Sequence, residues 1–292
     1  MKFDSYHPVI NFIYFTAAIA FTIAFHHPVF LAISYAAAFA YSVKLGGVKA
    51  LIFNLCLVPF MVIYALWYSY YNHFGVTVLG QNFAGNDMTL ESLVFGVVIS
   101  VTAAAVIMWM SCVFRVISSD KVVYLFGRIS PKLSLFLSIL LRSVPRIKET
   151  ARRVSIAQRG IGRKGPLRIL SIMMTWTLES FASSSESMKS RGYSLRGRTA
   201  FSIYRFDNRD RSFVVMIFLC LTLILMAIMF DQTNIHYDPE IIMNRVTPVS
   251  YIFYAAYAAL LLLPMGLQIA GELRFKSNLG KGEQWTETFE AE

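Results

Sequence analysis

The sequence predicts an all-α polytopic membrane protein, with about six transmembrane helices and an inserted region of amphipathic helices. Three observations carry that expectation. Of the 292 residues, 56% are hydrophobic and only 15% charged, too little charge to cover the surface of a soluble chain. Apolar runs of membrane-crossing length recur along the chain, separated by short polar breaks. The positive charge is concentrated. Of the 27 Lys and Arg, 20 fall between Arg115 and Arg211, against six acids in that stretch. The net charge of +10 therefore belongs to one segment, which suits anionic headgroups or an acidic partner.

Taken in order, Val9 to Phe25 is the first apolar run. With no small-residue cleavage pattern behind it, it reads as a span rather than a removed signal peptide. His26-His27-Pro28 breaks it, and Val29 to Val43 is a second, short span. The Lys44 to Lys49 turn contains Gly46-Gly47 and leads into a third span, Ala50 to Tyr71. Its aromatic end (Trp67, Tyr68, Tyr70, Tyr71) suits a headgroup interface. A polar stretch free of Lys and Arg, Asn72 to Leu90, precedes the fourth span, Leu93 to Phe114. After the basic insert come a fifth span, Phe213 to Phe230, and a mostly acidic loop, Asp231 to Pro248. A sixth span, Val249 to Ala270, ends in a polar tail. The resulting division is residues 1–117 with four spans, 118–211 as the basic region, 212–270 with two spans and 271–292 as the tail.

Loop charge orients the chain. Lys2, the Lys44/Lys49 turn, the basic insert and Arg274/Lys276/Lys281 fall on one side. The positive-inside rule places that side in the cytoplasm, with both termini.

Within the insert, Pro131 to Leu141 is short and apolar, and Pro145 is placed to open a helix. From there Ile147, Ala151, Val154, Ala157 and Ile161 share one helical face, while Lys148, Arg152, Ser155 and Arg159 share another. Gly160 and Gly162 are stop signals, and Pro166 opens a second helix. There Leu167, Leu170, Met174, Leu178, Phe181, Ser185 and Met188 follow helical spacing. Arg191 closes that helix, with Gly192 as its C-cap. Ser183-Ser184-Ser185 would let another helix cross closely. The region thus holds two look-alike phrases, Ala157-Gln158-Arg159-Gly160 and Ser187-Met188-Lys189-Ser190-Arg191-Gly192-Tyr193.

At these residues the chain resembles the transmembrane T component of energy-coupling factor (ECF) transporters, the CbiQ-type proteins. That family carries two Ala-Arg-Gly signatures at the ends of cytoplasmic coupling helices. The matching tripeptides are Gln158-Arg159-Gly160 and Ser190-Arg191-Gly192, with Gln and Ser in place of Ala. The resemblance extends to the layout of N-terminal spans, basic region and C-terminal spans. It implies a non-catalytic coupling subunit in a prokaryotic cell membrane. Each signature Arg would dock on one of two ABC-type ATPase subunits. Lys148, Arg152, Ala157, Ser184, Ser187 and Met188 would support the coupling helices. A membrane-embedded S component would supply the vitamin, cobalt or nickel specificity, and the partner ATPases would use ATP and magnesium. This chain would itself bind no cofactor or metal.

Other chemistries find less in the sequence. Gly160-Ile161-Gly162-Arg163-Lys164-Gly165 spells G-x-G-x-x-G, but it follows a helix rather than a strand, and Pro166-Leu167 replaces the Lys-Ser/Thr of a P-loop. The histidines (His7, His26, His27, His73, His236) show no ligand spacing. Cys56, Cys112 and Cys220 lie in apolar runs and read as small buried hydrophobes. No span carries a central Asp or Glu of the kind an ion-coupled carrier needs. A membrane scaffold or a lipid-modifying enzyme with a basic headgroup-binding loop is the alternative from another class.

Overall fold

A computed structural model describes residues 3–81, 87–162, 165–193, 195, 204, 206–238, 240–244 and 246–290. Eight α-helices dominate them: α1 (Pro8–Ala24), α2 (Pro28–Tyr71), α3 (Leu90–Val116), α4 (Ser119–Ile129), α5 (Pro131–Gly160), α6 (Pro166–Ser190), α7 (Asn208–Met229) and α8 (Pro248–Glu290). Two small antiparallel hairpins interrupt the polar loops. One pairs β1 (Val78–Gln81) with β2 (Asp87–Thr89), the other β3 (Ile235–His236) with β4 (Ile242–Met243). The chain forms two compact units, Met1–Ile117 with Phe206–Glu292, and Ser118–Arg205.

Among the described residues of the first unit, four helices are long and apolar enough to cross a membrane: α2, α3, α7 and the Pro248–Phe275 part of α8. With 17 residues, α1 is apolar but shorter. These helices mark a membrane-embedded protein. Much of their surface is exposed and apolar, as Phe60, Ile63, Val215 and Phe218 illustrate. Without water to satisfy them, backbone groups in a bilayer must pair internally, which is why such segments are helical.

Two turns fold this unit. Thr22 on α1 and Ser34 on α2 meet hydroxyl to hydroxyl at 2.6 Å across the His26-His27-Pro28 break. Inside α2, Gly47 has φ 58° and ψ −145°, a backbone state open in practice only to glycine. Ser42 Oγ donates to Asn54 Oδ1 at 3.5 Å. In a straight helix, residues twelve apart would lie roughly 18 Å from each other. The two limbs of α2 therefore fold back at Gly47. The turn expected at Lys44–Lys49 lies there, within one long helical stretch.

The core of this unit is aromatic. Trp109, Tyr14, Tyr41, Tyr257, Phe3, Phe15 and Phe30 are fully buried. Hydrogen bonds tie the polar tips of this core across elements. Tyr14 donates to the Leu261 carbonyl at 2.9 Å, and Trp109 Nε1 donates to Ser34 Oγ at 3.4 Å. Such partners let Tyr14 and Trp109 fill an apolar interior with their polar tips satisfied, while the buried Tyr41 and Tyr257 hydroxyls find no partner among the described residues. Cys112 and Cys220 are buried, but Cys56 is exposed, which corrects its reading as a buried hydrophobe. It shares the outward face of α2 with Leu55 and Ile52, where an apolar surface needs no protein to cover it in lipid.

The sixth span also lies in a helix longer than its sequence-based bounds. The helix does not end at Ala270; α8 continues through residues 271–290. Before α7, Asp207 and Asp210 form a capping box, with the Asp207 amide donating to Asp210 Oδ2 at 3.1 Å. That cap places the helix start at Asn208.

Candidate functional site

The second unit holds α4, α5 and α6. The 11-residue α4 is amphipathic, and it was absent from the sequence-based expectation. Ser134 Oγ of α5 donates to the Val123 carbonyl of α4 at 3.1 Å, fixing the α4–α5 turn at Ser130. The expected helix start at Pro145 is corrected: α5 is one helix of 30 residues, opened by Pro131, with Pro145 in its interior. Proline there removes one backbone donor, yet the two turns before it, Leu135 to Arg142, line the same cleft as Arg146 and Ile147 after it, so packing outweighs the break.

The two expected faces of α5 are present in part: Ala157 and Ile161, expected on the apolar face, are exposed, and Ser155, expected on the basic face, is half-buried. Ile147, Ala151 and Val154 are half-buried, while Lys148, Arg152 and Arg159 are exposed. Arg153 pairs with Glu149 one turn earlier at 3.1 Å. On α6 the side turned inward is Met173, Trp176, Thr177, Ser180 and Ser184. Leu167, Leu170, Met174 and Leu178 lie on the other side and are exposed, Leu167 by 80% and Leu178 by 69%. Arg146 of α5 stacks over the Trp176 ring at 5.8 Å, which joins the two helices near their middles.

The two Arg-Gly phrases end their helices differently. At the end of α6, Arg191 is the C-cap and Gly192 has φ 77°. The Tyr193 amide donates to the Met188 carbonyl at 3.1 Å and the Gly192 amide to the Lys189 carbonyl at 3.0 Å, the paired bonds of a Schellman cap. At the end of α5, Gly160 is still helical and Ile161 is the C-cap. The left-handed residue is Gly162, φ 73°, whose amide donates to the Arg159 carbonyl at 3.1 Å. Aligned on their caps, Gly162 matches Gly192, Arg159 matches Lys189 and Ile161 matches Arg191.

Arg159 and Arg191 are exposed, and among the described residues neither makes an ion pair. Gln158 turns inward, and its Oε1 is buried without a partner among the described residues. Ala157, Ser187 and Ser190 are exposed, Ser190 Oγ donating to the Ser187 carbonyl at 2.9 Å. Ser184 and Met188 line a cleft between α5 and α6. Arg163 and Lys164 of the glycine-rich turn lie outside the described residues. Among the described residues, no three His, Cys, Asp or Glu converge as metal ligands would.

The arrangement offers charge and apolar surface. Two guanidinium groups at helix ends can each take a carboxylate bidentately. The bare α6 stripe can take an apolar partner. Compared with family models and with curated proteins, the chain shows no match.

Proposed function

We propose that this chain is the transmembrane coupling (T) subunit of an ECF-type ABC importer. It spans a prokaryotic cell membrane about six times, the limbs of α2 counting as two spans, with both termini and the basic unit in the cytoplasm. Arg159 and Arg191 each dock on one of two ATPase subunits, and a substrate-binding S component lies against the apolar surface of the coupling helices. ATP and magnesium act in the ATPases; this chain transmits their motion for uptake of a vitamin or transition-metal ion.

The observation that supports this reading best is the pair of arginines at exposed helix ends that make no ion pair among the described residues, in a basic unit whose α6 exposes an apolar stripe. Merely touching anionic lipid requires positive charge but no such placement. A tagged chain purified in mild detergent from its native membranes tests it. Two nucleotide-binding subunits and one small membrane protein should co-purify. A chain that purifies alone, under conditions that preserve known transporter complexes, contradicts the proposal.

A further inference from the structure

Between α5 and α6 lies a cleft of about 370 Å³. One part of its wall is cationic. Arg142 and Arg146 are one helical turn apart on α5, so both project to the same side. The stack on Trp176 orients the Arg146 guanidinium while leaving its edge free to donate. Ser138, Ser180 and Ser184 add hydroxyls to the same wall. Among the described residues no Asp or Glu lines the cleft itself; Glu179 lines the adjoining hollow. The rest of the wall is apolar, with Leu135, Ile139 and Phe181. Phe136 and Leu140 extend that apolar surface along α5, and both are exposed.

A cleft with two guanidiniums and hydroxyls beside bare apolar side chains matches an amphiphile with an anionic head. We propose that it binds one anionic phospholipid. The lipid phosphate sits between Arg142 and Arg146, with the serine hydroxyls as further donors, and an acyl chain lies along Leu135, Ile139 and Phe181. Charge complementarity selects the head, because two guanidiniums line the cleft while Glu179 lines only the adjoining hollow that shares Arg146 and Trp176. The apolar wall selects a lipid over a free phosphate ion, which would leave it wet. This inference is independent of ATPase docking, since neither Arg159 nor Arg191 lines the cleft.

Native mass spectrometry of the full chain in detergent tests it, with phosphatidylglycerol or phosphatidylcholine added. The expected result is one tightly retained phosphatidylglycerol, and retention at least fivefold weaker in Arg142→Gln/Arg146→Gln. Arg153→Gln/Arg168→Gln loses the same charge outside the cleft and should retain lipid as the wild type does. Ser180→Leu fills the cleft without altering charge and should also weaken retention. Equal retention in all variants overturns the proposal, because the lipid would then be held by general surface charge. Displacement by inorganic phosphate or glycerol phosphate at matched concentration also overturns it, because the site would then recognise a phosphate and not a lipid.

Discussion

Gly162 and Gly192 adopt the same left-handed conformation, with φ of 73° and 77°, at the ends of α5 and α6. Yet Gly192 directly follows Arg191, while Gly162 lies three residues beyond Arg159. The two arginines therefore leave their helices in different directions relative to the cap. Two docking partners that were identical would meet two different presentations of the same side chain.

The glycines of the two phrases should respond differently to alanine. A Cβ at Gly192 would meet Leu195 Cδ1 at 3.1 Å and force a left-handed alanine. That conformation costs roughly 1–2 kcal/mol. A Cβ at Gly160 meets nothing within 4 Å. Because Gly160 is helical, alanine there should be neutral or stabilise by up to about 1 kcal/mol. Hydrogen exchange over residues 187–193 should rise in Gly192→Ala, and exchange over 153–160 should hold or fall in Gly160→Ala. Equal effects would contradict the cap assignment.

Gly47→Ala should disturb the fold of the first unit more than any surface change. Its backbone state is almost closed to residues with a Cβ, at a cost of order 1–3 kcal/mol. The Ser42–Asn54 contact across the turn would be lost with it. The thermal midpoint in detergent should fall by several degrees, while Val48→Ala, on an exposed neighbour, should leave it within a degree or two.

His27 gives the turn between α1 and α2 a pH dependence. It is buried against the Phe30 and Tyr254 rings, and its Nδ1 accepts from the Val29 amide at 3.3 Å as the cap of α2. Burial lowers its pKa below the ordinary 6.5. A depressed imidazole stabilises the fold fully above 6.5, and that contribution is lost as pH falls through the lower folded value. The melting temperature should drop between pH 7.5 and 5. His27→Asn keeps a capping oxygen without titrating there and should flatten part of that drop. An unchanged profile in His27→Asn would remove His27 as the source.

Much of the helical layout is legible in the sequence because membrane helices need long apolar runs, and those runs bracket α1 to α3 and α7 to α8. Gly46-Gly47 marks the fold-back in α2 for the same reason that the structure needs it. Cap register is less legible. Gly160 and Gly162 are both plausible stops, and only the hydrogen bond from the Gly162 amide to the Arg159 carbonyl decides between them. Pro145 misleads because packing along α5 overrides a local breaker. The hairpin at Val78–Gln81 has too little apolar alternation to stand out from a polar loop. The sequence also carries a capping signal: His-Pro-Val occurs twice, at His7 and His27. Each time the imidazole caps the helix that the proline opens, with Nδ1 accepting from Val9 or Val29 at 3.3 Å. The inward cleft wall, Arg142, Arg146 and Trp176, was equally hidden, since it brings together residues some thirty positions apart.

The most direct test of the coupling role is ATPase retention by the Arg159→Glu/Arg191→Glu chain, purified beside the wild type from the same native membranes. Reversing a charge that pairs across an interface costs about 2–5 kcal/mol or more per site. The account predicts that the ATPase subunits fall at least tenfold relative to the chain while the small membrane partner stays bound. Undiminished ATPase in the double variant would contradict it.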